Sequence, residues 1–324
     1  MRKQTTSLGY KKTVLKNGLR VVTEHIPSVR SITLGVWIDV GSRNESLEEN
    51  GISHLIEHMM FKGTKRRNSK EIAASLESIG GSLNAFTSRE QTCYLARILD
   101  EHLDEAVDVL SDITCNATIT PNNLLKEKKV VCEEIQESQE TPSDMIHDIF
   151  STTYWGKHPL GRPILGEMDN IKAMPRKKIV NYIKQNYRAE SIVIAASGSV
   201  SHSKLVKLVK EKFNFESGGS SEYEPAVRSH DYEVNVVTNK NNQIHLCVGF
   251  PGVNYSDEDK MKALVLHVAM GGGMSSKLFQ KIREDKGLAY TVYTYLDVYR
   301  DAGLFGAYMA TDKTNLKQAV EITL

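Results

Sequence analysis

His54-Leu55-Ile56-Glu57-His58 lies within a run whose apolar residues, Ile52, Leu55, Ile56, Met59 and Met60, recur at three and four residues. That spacing predicts a helix with one apolar stripe. On such a helix His54 and His58, four apart, stand one above the other and can aim two imidazoles at one point, which is chelating geometry. Glu57, three after His54 and one before His58, falls at the edge of that face. It can reach a water at the chelated point without being a ligand. The bland alternative is two partly buried histidines on an amphipathic helix.

A catalytic zinc takes three protein ligands and leaves the fourth position to water or substrate, so a third ligand must come from elsewhere. The stretch Asn122 to Gln139 reads as a helix on which Glu127 and Glu134, seven apart, share a face, with Glu133 turned about 100° away. Val130, Val131 and Ile135 make that face partly apolar, and a buried carboxylate needs a partner such as a metal. Glu137 and Glu140 continue the charge, so a solvated acidic face is the competing reading.

Outward from this centre the chain alternates strands and helices. Thr13-Val14-Leu15 and Leu19 to Thr23 flank an Asn17-Gly18 turn, a hairpin signal. Ser31 to Val40 continues as a strand, and Ser82 to Leu99 reads as extended chain. Further helices are expected at Ser69 to Ile79 with Ser69 as N-cap, Glu101 to Cys115, Pro142 to Thr153, Arg176 to Asn186 and His202 to Phe213, with a strand at Ser191 to Ala196. Asn214 to Ser229 is rich in Gly, Ser and Glu and has no apolar period, so it is the best linker. Beyond it Ile244 to Gly252 has the strand character of Ile32 to Gly41. Setting Gly41 on Gly252, an offset of 211, also lays a helix around Lys262 to Ala269 over the histidine helix. The halves read as diverged copies: a domain over 1–213, a linker over 214–229 and a second domain over 230–324. At that offset His54, Glu57 and His58 face Val265, Val268 and Ala269, so one metal site is expected, and His267 reads as a core histidine. The second copy stops early by the same offset. The expectation is a piece of a longer polypeptide whose final helix, from Thr311 or Asp312, has no stop signal.

Composition excludes several classes. The 324 residues carry 41 Lys plus Arg against 40 Asp plus Glu, a net charge of +1, so the field that draws proteins to nucleic acid is absent. No apolar run approaches the about 18 residues of a membrane span. The first dozen residues resemble neither a secretory signal nor a transit peptide, which makes the cytoplasm the expected address. Cys93, Cys115, Cys132 and Cys247 form no C-x-x-C pair and read as reduced, mostly buried thiols. Basic runs such as Lys62 to Arg67 read as solvated faces.

H-x-x-E-H followed some 75 residues later by a glutamate helix resembles the inverzincins of the pitrilysin, insulin-degrading enzyme and mitochondrial processing peptidase family, closest to the processing-peptidase branch and its bacterial relatives. The resemblance spans the whole chain. It implies an α+β fold of two homologous domains, each a mainly antiparallel sheet with helices packed on it, enclosing a cavity. It implies zinc, one per chain, on His54, His58 and Glu134, with Glu57 as general base and Glu127 behind the ligands. Gly81 to Thr87 looks like the family's active-site edge strand, whose Asn84-Ala85 segment holds substrate backbone. Arg283 and Tyr290 look like the pair that the second domain brings to substrate and transition state. The implied activity is a zinc-dependent endopeptidase acting on unfolded peptides or presequence-like segments bound in extended form, and a homodimer is compatible with it. The rival is a catalytically silent assembly or regulatory subunit, which this family also contains. Such subunits lack one or more metal and base residues, all of which are present here.

Overall fold

The computed structural model describes residues 9–219, 223–226, 233–238 and 242–324. These form two compact units, one built from Met1–Ile135 and Pro163–Tyr223, the other from Gln136–Arg162 and Glu224–Leu324. The fold is α+β, as the sequence predicts.

In the first unit, strands β1 (Tyr10–Val14), β2 (Arg20–His25), β3 (Ser31–Ile38), β4 (Ser82–Thr87), β5 (Thr92–Leu99) and β6 (Ile192–Gly198) make one sheet in the order β1-β2-β6-β3-β5-β4. Only β2 and β6 run parallel; the other four pairings are antiparallel. The β1–β2 hairpin turns at Gly18, whose φ of +90° is the left-handed geometry that an Asn-Gly turn supplies at little cost. Strand β3 buries Ile32, Leu34, Val36 and Ile38, every second residue, because side chains alternate across a sheet. Helices α1 (Ile52–Met60), α2 (Ser69–Glu77), α3 (Leu103–Asn116), α4 (Pro121–Glu140), α6 (Met168–Ala173), α7 (Arg176–Asn186) and α8 (His202–Lys212) belong to this unit except for the last residues of α4, and α5 (Pro142–Trp155) belongs to the other. The expected span of α7 is met residue for residue. Helix α6 is too short for its periodicity to register.

Three local readings change. The N-cap of α2 is Asn68 and not Ser69: its side chain accepts the Glu71 N–H while Glu71 accepts the Asn68 N–H, a reciprocal box that Ser69, one residue inside, has no orphan donor to match. The extended stretch from Ser82 is a hairpin, turned over Ser88 to Gln91, where the Ser88 N–H donates to the Gln91 carbonyl. The basic run after α1 is only in part a solvated face: Lys65 and Arg66 are exposed, yet the run is also anchored inward. Lys62 reaches Glu127, and Arg66 and Arg67 converge on Asp108 and on Asp112, whose side chain is fully buried. That network ties the run to α3, because a carboxylate buried without donors would be strongly unfavourable.

The second unit holds a three-stranded antiparallel sheet of β7 (Ile244–Pro251), β8 (Ala289–Val298) and β9 (Gly303–Thr311), in the order β7-β9-β8, with α5, α9 (Lys260–Gly271) and α10 (Leu316–Thr323). This order repeats β3-β5-β4 of the first unit. The 211-residue offset sets Gly303, the start of β9, on Thr92, the start of β5. Residues 136–162 count with the second unit although they precede the expected linker, because α5 carries aromatic side chains that meet its sheet and the turn beside it: Phe150 meets Tyr295 of β8, and Trp155 meets Tyr299 between β8 and β9. Of the stretch 214–229, residues 220–222 and 227–229 lie outside the described residues. Its beginning is tied to the first unit, where Phe215 is buried and stacks on Phe213, and where Asn17 donates to the Phe215 carbonyl. Thr311 closes β9, so the last helix starts later than expected, at Leu316 after Asn315. Helix α9 leaves Met261, Leu264, Val265 and Val268 exposed, and its His267 is half-buried, hydrogen-bonded to Thr294 at 2.9 Å. The four cysteines are free thiols, and Cys93 alone is fully buried. Among the described residues no helix is long and apolar enough to cross a membrane.

Candidate metal centre

Helix α1 is held at both ends. Its stripe of Ile52, Leu55, Ile56, Met59 and Met60 is buried to within 1% of complete, and each such side chain contributes about 1.5–3 kcal/mol. Its first turn is gripped by Glu45, itself buried, whose carboxylate accepts the N–H of Gly51 at 2.8 Å, the N–H of Ser53 at 2.8 Å and the Asn50 amide at 3.1 Å. Two backbone donors that a helix start leaves without partners are thereby satisfied. The face opposite the stripe carries His54, Glu57 and His58, all half-buried.

Helix α4 lies across this face. Leu124, Glu127, Val131 and Ile135 are buried, Glu134 is half-buried and Glu133 is exposed, the orientation that the seven-residue spacing predicts. Glu134 Oε2 stands 3.8 Å from His54 Nε2 and 3.6 Å from His58 Nε2. His54, His58 and Glu134 offer one ligand atom each, all within 4.8 Å of one another, and no other such group of His, Cys, Asp or Glu occurs among the described residues. These separations exceed a hydrogen bond, and buried Glu134 Oε2 has no hydrogen-bond partner. Ligand atoms about 2.0–2.2 Å from a tetrahedral zinc stand roughly 3.3–3.6 Å apart, so the spacing and the orphaned oxygen fit the ion. Burial, reinforced by neighbouring His58, holds His54 down at about 4, so its imidazole is neutral and able to ligate at neutral pH.

The remaining first-unit residues surround this triad. Glu127 Oε2 lies 3.3 Å from His58 Nδ1, the nitrogen away from Glu134, and Glu127 Oε1 lies 3.0 Å from Lys62 Nζ. Glu57 accepts a hydrogen bond from the Thr87 hydroxyl of β4. Burial pushes the Glu57 carboxyl up, the Thr87 hydrogen bond and His58 oppose it, and the Glu134 charge adds to the rise. Strand β4 is the sheet edge. Asn84 is exposed there, and its Oδ1 accepts the Ala85 N–H at 2.8 Å. In the second unit Arg283 and Tyr290 are brought together: the guanidinium donates to the Tyr290 carbonyl at 3.0 Å and lies 4.3 Å from the Tyr290 ring centre. Glu45, Lys62 and Thr87 escape a reading of the sequence. Only a carboxylate shortly before a helix start hints at the first, and no spacing rule reaches the other two.

Residues 20–168 match the family described as Insulinase (Peptidase family M16), and residues 173–324 match the Peptidase M16 inactive domain. The chain is 42% identical over 313 residues to the uncharacterized zinc protease YmxG of Bacillus subtilis, covering 96% of this chain and 76% of that protein. It is 39% identical over 324 residues to the uncharacterized zinc protease SCO5738 of Streptomyces coelicolor, covering 96% and 70%. In fold it resembles a protease from Helicobacter pylori, with a TM-score of 0.89 at 23% identity over 97% of this chain and 78% of that one.

Proposed function

We propose that this chain, which belongs to the insulinase (M16) family of peptidases, is a zinc-dependent endopeptidase that cleaves unfolded peptides or presequence-like segments. The convergence of His54, His58 and Glu134 from two helices, with an orphaned carboxylate oxygen between the imidazoles, carries this reading. These three residues would hold one zinc ion. When bound, zinc supplies a Lewis acid that polarises a carbonyl and acidifies water.

The protein groups then have separate tasks. Glu57 takes the proton of the attacking water and returns it to the leaving amine. The rise in its pKa brings it nearer neutrality, where a general base is most effective, and Thr87 keeps one oxygen fixed. A substrate strand adds to the free edge of β4, where its carbonyl replaces Asn84 as acceptor for the Ala85 N–H. Arg283 and Tyr290 are assigned to substrate orientation and to the developing oxyanion. A cytoplasmic address and pairing with a second copy are proposed from the sequence alone. The silent-subunit reading finds no support in the site, because ligands and base are all present.

Purified protein should hold about one zinc per chain and cleave an unstructured peptide, and a chelator should stop the cleavage. Glu134→Ala should lose the zinc. Elemental analysis showing undiminished zinc in that variant would remove Glu134 from the ligand set.

A further inference from the structure

Lys62 lies two residues past the end of α1 and four after His58, and its side chain reaches the same glutamate of α4 that His58 faces. Its ammonium is 3.0 Å from Glu127 Oε1, and the other oxygen of the same carboxylate is 3.3 Å from His58 Nδ1. Each oxygen of Glu127 therefore has its own partner. The side chain of Glu127 is only 8% exposed while that of Lys62 is 35% exposed, so Lys62 is the wet end of a dry link. The backbone is fastened at the same point, where the Asn123 amide donates to the Lys62 carbonyl at 2.7 Å. Asn123, Glu127 and Glu134 are four and seven residues apart and present one face of α4 to the end of α1.

We propose that Lys62 is a positioning residue for the metal centre: through Glu127 it fixes the ring of His58, and thereby sets zinc affinity. The inference rests on the zinc reading above. Without the ammonium, one oxygen of a buried carboxylate loses its donor, and Glu127 is free to turn toward solvent and away from His58. A histidine ligand whose far nitrogen is not held samples other ring orientations and binds more weakly. Removing such an outer partner commonly weakens metal binding about 10–100-fold.

Zinc dissociation constants of the full chain, measured by competition with a chromogenic chelator, test the link. Lys62→Met should weaken zinc binding about tenfold or more, and Lys62→Arg, which keeps the charge and the donors, should recover most of it. In a Glu127→Gln background the Lys62→Met exchange should change affinity less than about twofold, since the link is already cut. Thermal melts of the metal-free proteins establish folding, and if Lys62→Met does not fold, Lys62→Gln carries the same loss of charge and its affinity decides. Wild-type protein that binds one zinc, together with a charge-loss variant whose affinity is unchanged or increased, overturns the proposal alone. So does an equal loss in the Glu127→Gln background, which would make the effect a general one. Wild-type protein that binds no zinc overturns the metal reading and this proposal with it.

Discussion

Replacing Glu45 by Gln should remove a pH-dependent loss of stability from the first unit. Glu45 is 3% exposed, and burial pushes its carboxyl up to about 7 against the pull of the Ser53 and Gly51 N–H groups and the Asn50 amide. The ordinary value is 4.5. Between these values the folded chain holds a proton that the unfolded chain has released, so stability falls as pH rises. Integrated from pH 5 to pH 8, the two values give about 2–3 kcal/mol lost by the wild type. Gln does not titrate and should lack this component. The exchange has its own constant cost, about 1–3 kcal/mol, because the new amide NH2 must face a donor where an oxygen accepted one. Comparing slopes rather than absolute stabilities removes that constant. The chain has two tryptophans, Trp37 in the first unit and Trp155 in the second, so in a Trp155→Phe background Trp37 fluorescence reports urea unfolding of the first unit. Metal-free wild type should lose about 2–3 kcal/mol more than the Gln variant between pH 5 and pH 8. Parallel curves would refute the reasoning: the donors gathered at the helix N-terminus would then be holding the carboxylate ionised near its ordinary value, outweighing burial.

Two further outcomes are expected. Glu57→Gln should keep its zinc yet lose about 10²–10⁴-fold in peptide cleavage, since an amide cannot accept the proton; loss of zinc with activity would make Glu57 a ligand. His54 titrates in the opposite sense from Glu45: its value near 4, set by burial and His58, means that the unfolded chain binds an extra proton between about 6.5 and 4. Metal-free protein should therefore lose about 2 kcal/mol more than His54→Leu as pH falls from 7 to 4.5, read from urea midpoints in the presence of a chelator; a difference under about 0.5 kcal/mol would mean that His54 is hydrated and not buried.

Spacing along the chain decides whatever depends on a single element's period. The stripe of α1, the shared direction of His54 and His58 and the common face of Glu127 and Glu134 are consequences of 3.6-residue periodicity, the Asn17-Gly18 hairpin of turn chemistry and the 211-residue echo of self-similarity along the chain, and the structure has each of them. At the start of α2 the deciding signal is also local: Glu71 stands three after Asn68, the spacing of a reciprocal capping box, whereas three after Ser69 stands the apolar Ile72. Partners from distant elements follow a different physics. That Lys62 meets Glu127, that Glu45 grips the first turn of α1, and that Thr87 from the edge strand reaches Glu57 depend on where whole helices and strands dock. Docking is set by the summed burial of many apolar side chains, and no short stretch of sequence encodes it.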